Sequence, residues 1–469
     1  MTLTIGKNLQ GQGWNISGAK SISSTRGLKR RTILTGALLG GVSALVFAQS
    51  AFALDTGGQA EWRQNYEAAS NLTVHRSTTP ILSQATVAAT ENAIAQYRDL
   101  AAKGGWGTVP TGQSMQVGSK GKNVTALRAR LIATGDLDAG ANTSSTFDSY
   151  VEAGVKRFQA RHGLSETGVV GDETFAMLNV PVDTRLRQLE TNLVRLRSFS
   201  GNLGNRFVTV NIPAASVETV EAGVVATHHA AGVGKIDRQS PVMNTRALDI
   251  NFNPYWTVPP SLIKKDLIPK MQANPDYLTE HKIRIFNPQG QEVPPSAINW
   301  HTTEAVNYKY RQDPGGDINS LGFVRINIAN PYGVYMHDTP EKGVFGDDFR
   351  FVSSGCVRVQ NVRDYVAWLL KDEPGWNRDR IDQAMESGER LDVKITQPVN
   401  VYWVYITGWA TPEGIINFRE DIYQRDGFGS TAPVANNAVY SRTPVQNVSA
   451  KGSGLPPVDT NMLAPMSDQ

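Results

Sequence analysis

The sequence predicts a multidomain α+β protein in which a small three-helix unit precedes a mainly β domain. Its 469 residues exceed a typical single core, so more than one folded unit is expected. Apolar residues at helical spacing (Val124, Leu127, Leu131; Val151, Val155, Phe158; Thr174, Leu178) imply three short helices, with glycines at Gly118, Gly121, Gly163, Gly168 and Gly171 where helices stop. From Arg206 the period changes: Val208, Val210 and Ile212 alternate, as do Val401, Trp403 and Tyr405, which is the pattern of half-buried strands.

Taken in order, residues 1–53 read as a polar extension followed by an export signal. Lys29-Arg30-Arg31 precedes an apolar run from Ile33 to Phe47, and Ala51-Phe52-Ala53 has the small-x-small pattern of a cleavage site after Ala53. The run is shorter than the ~20 residues that span a bilayer, which favours cleavage over a permanent anchor. Arg30-Arg31 also fits a twin-arginine signal, so the export route stays open. Residues 54–113 read as a lead segment and linker with helical character around Val87 to Ala102 and a break at Gly104-Gly105-Trp106-Gly107. The three-helix unit occupies 114–180, and Leu186, Leu189, Leu193 and Leu196 give 181–205 the stripe of a linking helix. The β domain covers 206–426. Residues 427–469, rich in Pro, Ser, Asn and Gly without a periodic apolar face, are expected to be disordered.

Net charge is only +3, which gives no argument for nucleic acid or an anionic membrane as a principal partner. A membrane role is expected only through the signal segment if it is uncleaved. No metal or cofactor is expected. His228 and His229 are adjacent and would point to opposite faces of a strand, while His75, His162, His281 and His301 lack ligand partners at zinc-motif spacing.

The single cysteine, Cys356, cannot form an intramolecular disulfide and is either a buried small side chain or a reactive thiol. A free thiol with a pKa of ~8.5 needs a base near neutral pH. Val334-Tyr335-Met336-His337-Asp338-Thr339-Pro340 alternates like a strand and then turns, leaving His337 at a strand end, nineteen residues before the cysteine. Gly355 permits a tight turn, and the amides of Gly355 and Cys356 are candidates for an oxyanion hole. Asn361 and Asp364 look like the start of a helix buried through Val362, Tyr365, Val366 and Leu369.

Two resemblances sharpen these readings. Gly118-x-x-Gly121-x-x-Val124-x-x-Leu127, Phe147-Asp148, Val155-x-x-Phe158-Gln159-x-x-His162-Gly163-Leu164, Gly168-x-x-Gly171 and Thr174-x-x-x-Leu178-Asn179 resemble the three-helix peptidoglycan-binding module. A histidine after a strand followed by Ser353-Ser354-Gly355-Cys356-Val357-Arg358 resembles the L,D-transpeptidase catalytic family. Many members have histidine in place of Ser354 and glycine in place of Asp338. The departures match the large periplasmic branch, as do Val233-Gly234-Lys235, Arg238-Gln239-Ser240-Pro241, the run from Asn253 to Ser261, and Asn330-Pro331-Tyr332.

The resemblance implies a mainly β catalytic domain with a capping insertion at about 262–329, in which Asp313-Pro314-Gly315-Gly316 is turn chemistry suited to a mobile edge. It implies Cys356 as nucleophile and His337 as base, the histidine being oriented by a backbone carbonyl rather than by Asp338. Ser354 would line the oxyanion site, and Tyr335 and Trp256 the stem-peptide groove. Arg358 is either a loop anchor or a contact for a substrate carboxylate. The implied partners are peptidoglycan stem peptides and glycan, with a neighbouring stem amine, water or an outer-membrane protein as acyl acceptor. The implied location is the periplasm, in association with the cell wall.

Overall fold

The computed structural model describes residues 77–140 and 144–427. The export signal expected at 1–53, the start of the lead segment and the tail from 428 onward lie outside the described residues. Among those described, no helix is long and apolar enough to cross a membrane.

The first helix, α1 (Gln84–Ala102), is capped by Ser83, whose hydroxyl accepts from the Thr86 amide at 3.1 Å. Val87, Thr90, Ile94 and Tyr97 recur every three or four residues and are buried. They pack on α5 (Val182–Phe199) through Leu189 and Leu196, and on residues near the end of the chain's β domain, Tyr402, Ala410 and Phe418 among them. The lead segment expected to be a linker therefore contributes a structural helix. Its apolar face has no other place to be buried.

Between these helices lies the three-helix unit: α2 (Lys122–Ala133), α3 (Ser149–His162) and α4 (Asp172–Leu178). Asp148 caps α3 by accepting from the Val151 amide at 3.1 Å. The helix stops at Gly163 in the left-handed region at φ 74°, where a Cβ would also meet Arg419 Nε at 2.6 Å. Leu127, Leu131, Phe147, Phe158 and Leu178 form its core. The unit is held firmly against the β domain. Arg161, on α3, makes paired 2.6 Å contacts to Asp136 and donates to the Ile416 carbonyl at 3.1 Å. Arg419 donates to the Arg161 carbonyl at 2.9 Å, and Ser165 donates to Asp348 through its amide and hydroxyl.

The β domain is a nine-stranded sheet in the order β11-β3-β12-β10-β9-β4-β13-β1-β2. The strands are β1 (Arg206–Asn211), β2 (Ser216–Glu221), β3 (Val224–Gly234), β4 (Met243–Phe252), β9 (Val324–Ile328), β10 (Met336–His337), β11 (Phe351–Ser353), β12 (Val357–Val359) and β13 (Leu391–Val404). Because β2 also pairs with β3, the sheet closes on itself and encloses a core that includes Phe252, Ile326, Met336, Val357 and Trp403. Helix α6 (Val362–Leu369) seals it with Val362, Tyr365, Val366 and Leu369. Asn361 does start this helix, at φ 47°, a conformation asparagine tolerates, but its side chain makes no capping hydrogen bond.

The inserted cap has a sheet of its own, β5-β8-β6-β7, formed by β5 (Trp256–Thr257), β6 (Ile283–Phe286), β7 (Glu292–Val293) and β8 (Lys309–Gln312). Its separate core contains Ile263, Leu278, Ile285 and Tyr310. Its limits differ from the expected 262–329 at both ends: β5 belongs to the insertion, whereas β9 pairs between β10 and β4 in the main sheet. The return path is tied down. The buried Asn319 side chain donates to the Pro254 carbonyl at 3.0 Å and to the Asp313 carbonyl at 2.9 Å, clamping the two ends together.

The Arg161–Asp136 pair is buried on both sides. Asp136→Ala leaves the guanidinium without its counter-charge, a change that typically costs about 3–5 kcal/mol. The urea midpoint of the full chain is expected to fall markedly; an unchanged midpoint would show that the pair does not secure the three-helix unit.

Candidate active site

Parallel pairing of β10 with β12 matches Met336 with Val357 and His337 with Arg358. Met336 and Val357 point into the core, so alternation sends Tyr335, His337, Cys356 and Arg358 to the opposite face. Antiparallel pairing with β9 sets Arg325 beside His337 on its other side. The imidazole thus sits in a row between two arginines, with the thiol on its diagonal. Room for the Arg358 stem comes from Gly232 on β3, where a Cβ would come within 3.3 Å of Arg358 Cβ.

His337 is buried, and its Nδ1 bonds the main-chain carbonyl of Asp338 at 2.5 Å. That leaves Nε2 off the carbonyl; among the described residues no hydrogen bond joins His337 to Cys356, whose sulfur meets Tyr335 instead. The Asp338 carboxylate is turned elsewhere, accepting from the Phe323 amide at 3.0 Å and pairing with Lys342. Burial, opposed only partly by the Asp338 carbonyl and reinforced by Arg358 and Arg325, lowers the His337 pKa to about 3. Cys356 keeps some exposure, yet the protein packed round its sulfur raises the thiol to about 11, against hydrogen bonds from Tyr335 and the positive charges of Arg325 and Arg358. The resting state these shifts favour is a neutral thiol beside a neutral imidazole.

Tyr335 is the hub of the face. Its ring meets that of His337 edge-on at 5.6 Å, its hydroxyl is hydrogen-bonded to the thiol, and Trp256 Nε1 donates to that hydroxyl at 3.1 Å. Trp256 comes from the cap, so the inserted sheet reaches the candidate site directly. Arg325 lies 4.6 Å from the Tyr335 ring centroid.

The turn before Cys356 is held from beneath. Gly355 adopts φ 111°, a conformation that disfavours any side chain, and Ser240 donates its hydroxyl to the Gly355 carbonyl at 2.8 Å while accepting from the Gly234 amide at 3.0 Å. Gly234 is needed for this approach, since a Cβ there would lie 2.3 Å from the Arg238 carbonyl oxygen. The Ser353 hydroxyl donates to the Cys356 carbonyl at 2.6 Å and accepts from the Gly355 amide at 3.1 Å. That bond corrects one expectation: the Gly355 amide is occupied within the turn. Among the described residues no acceptor meets the Cys356 amide. Ser354 is exposed and accepts from Arg238 Nη1 at 3.0 Å; the same nitrogen donates to Asp266 of the cap at 2.6 Å. Arg358 pairs with the exposed Glu341 at 2.6 Å.

A groove of about 290 Å³ runs beside this turn, bounded by Ser354 and Val334 on one side and by Ser261, Leu262 and Lys265 of the cap on the other. A larger cavity of about 400 Å³ lies behind Asp338, towards Asn361 and Arg378, and includes neither Cys356 nor His337. The groove is likewise lined by neither Cys356 nor His337, nor by Tyr335 or Trp256; it reaches the turn at Ser354, two residues before the thiol.

Sequence reading missed Arg325, although Val324, Ile326 and Ile328 alternate round it, because the segment was assigned to the cap. Arg238 and Ser240 were visible as part of a motif, but their contacts depend on the fold.

Residues 205–401 match the family model described as the L,D-transpeptidase catalytic domain, and residues 120–178 match that described as "Putative peptidoglycan binding domain". A Haemophilus influenzae protein named "Putative L,D-transpeptidase" is 34% identical over 241 residues, which is 51% of this chain and 48% of that protein. The chain thus spans about half the length of this curated relative. Among solved structures, an L,D-transpeptidase from Mycobacterium smegmatis is 15% identical, with a TM-score of 0.22 over 43% of this chain and 58% of its own. One from Stackebrandtia nassauensis is 11% identical, with a TM-score of 0.23 over 63% and 96%. The first match covers most of the closed sheet with its Cys356–His337 face and the second covers the three helices, so the chain is similar to an L,D-transpeptidase catalytic domain preceded by a peptidoglycan-binding domain.

Proposed function

We propose that the chain is an L,D-transpeptidase acting on tetrapeptide stems of peptidoglycan through an acyl-enzyme on Cys356. The observation that carries this reading is the strand register that sets Tyr335, His337 and Cys356 on one face, at the end of a turn that borders a groove at Ser354. The thiol attacks the carbonyl of the third stem residue and gives its proton to His337 Nε2 as the S–C bond forms. The tetrahedral oxyanion is taken by the Cys356 amide, the donor that the turn leaves unengaged. Collapse breaks the C–N bond, His337 returns the proton to the leaving amine, and terminal D-alanine departs. An amine of a neighbouring stem then attacks the thioester, His337 taking its proton as the new C–N bond forms; collapse breaks the C–S bond, and His337 returns that proton to the Cys356 sulfur. Water as acceptor makes the same enzyme an L,D-carboxypeptidase; an outer-membrane protein amine makes it an anchoring enzyme.

The raised thiol and lowered imidazole favour proton transfer during attack over a standing thiolate–imidazolium pair. Ser354 and Gly355 then act as parts of the turn, and Trp256 fixes Tyr335. The three-helix unit presents the enzyme to glycan, and export to the periplasm follows from the signal read at residues 1–53. The exposed Arg358–Glu341 pair supports an anchoring role for Arg358.

Alkylation of Cys356 by iodoacetamide should report the thiol's state. With its pKa raised towards about 11, the thiolate fraction increases as pH rises, and the rate should keep climbing beyond pH 9. A plateau below pH 7 would instead reveal a preformed ion pair. Intact-mass analysis after incubation with a carbapenem should show one adduct on the wild type and none on Cys356→Ala. His337→Ala should remain folded and acylate about 10²- to 10⁴-fold more slowly; acylation at the normal rate would assign the base elsewhere. Full-length Cys356→Ala should pellet with isolated sacculi, and its recovery wholly in the supernatant would remove the wall-binding role of the three-helix unit.

A further inference from the structure

Arg325 is the one arginine of the row beside His337 whose charge has no carboxylate partner among the described residues, whereas Arg358 has Glu341. Its position is fixed from three directions. On β9 it is paired directly with His337, its Nε donates to Asn327 Oδ1 at 2.5 Å, and the Tyr335 ring lies 4.6 Å away. These supports are themselves fixed: Asn327 donates to Asp249 and, at 2.7 Å, to Asn251, while Tyr335 accepts from Trp256. The bond through Nε holds the guanidinium plane, and among the described residues no acceptor meets either Nη atom. A guanidinium held in this way presents a planar, preorganised fork that matches a carboxylate.

Distance favours the same ligand. Arg325 stands on β9, two strand spacings of about 4.8 Å each from the thiol's strand, and its guanidinium reaches back to within 4.6 Å of the Tyr335 ring centroid. When Cys356 attacks the carbonyl before a terminal residue, that residue's carboxylate carbon is three bonds away, within about 4 Å. A carboxylate on a leaving residue directed towards β9 spans part of that gap, and the Arg325 side chain reaching over Tyr335 spans the rest. The nearby acidic side chain, Asp249, is already engaged by Asn327 and does not neutralise Arg325.

We propose that Arg325 determines donor specificity by binding, through its Nη fork, the free carboxylate of the residue that leaves. The inference rests on the acyl-enzyme reading above. It makes the enzyme select stems that end one residue beyond the bond it breaks, because extending or capping that end removes the anion and leaves the guanidinium uncompensated.

The test compares purified full-length protein on two soluble donors, a tetrapeptide stem ending in D-alanine and the same stem with a C-terminal carboxamide. Wild type should favour the free acid in kcat/KM. Arg325→Gln should lower kcat/KM for the acid about 10- to 100-fold more than for the amide, the worth of a charge-assisted hydrogen-bonded pair. Arg325→Lys should keep part of the preference. Both donors meet the same thiol and base, so their ratio cancels altered reactivity or a smaller folded fraction. A ratio unchanged in Arg325→Gln, or a wild type indifferent to the carboxylate, overturns the inference and leaves the transpeptidase reading intact. A wild type that cleaves neither donor overturns that reading as well.

Discussion

The site depends on the parallel pairing of two very short strands, β10 and β12, inside a closed sheet. Met336 and Val357 are fully buried, and moving either strand by one residue would send His337 or Arg358 into the hydrocarbon core. Hydrophobic burial on one face therefore fixes the polar geometry of the other. The pairing is too short to hold itself. It is secured by β9 on one side, by β3 on the other, and by α6, which follows β12 directly and packs Tyr365 and Val366 into the same core.

Burial also sets the chemistry. His337 and Cys356 are pushed towards their neutral forms, and the two flanking arginines add to the effect on the imidazole while opposing it on the thiol. The same positive charges that discourage a protonated histidine favour any negative charge developing on sulfur, on the reacting oxygen or on a bound carboxylate. Neutral groups beside fixed cations and a main-chain amide that meets no acceptor among the described residues are thus better matched to the charge development of the proposed reaction than to its resting state. The turn that presents the thiol is correspondingly overdetermined, with Ser240 and Ser353 each bonding twice to its backbone or to the strand end beneath it.

The accessory parts are joined to this centre more closely than a modular description conveys. The three-helix unit is bonded to the β domain through Arg161, Arg419 and Ser165, and α1 and α5 share an apolar core with it. The cap touches the candidate site at two points, Trp256 on Tyr335 and Asp266 on Arg238, which in turn holds Ser354. Because Asn319 ties its two ends, any movement of the cap would act on both contacts together.

By itself the sequence determined the elements whose signals are local. Helical spacing marked the three-helix unit, alternation marked strands such as β1 and β13, and residue chemistry singled out Cys356, Gly355 and His337 within one short span. It also separated His337 from the Asp338 carboxylate through resemblance, and the structure shows Nδ1 on the carbonyl. Only the tertiary structure decided what depends on partners distant in the chain. It moved β9 from the cap to the main sheet, brought α1 into the packed body, engaged the Gly355 amide with Ser353, and set Arg325 beside His337 without a counter-charge among the described residues. The physical reason is that a strand's period reveals which side chains share a face but not which strand lies next to it or in what register, and a hydrogen-bond donor's availability depends on every neighbour the closed fold supplies.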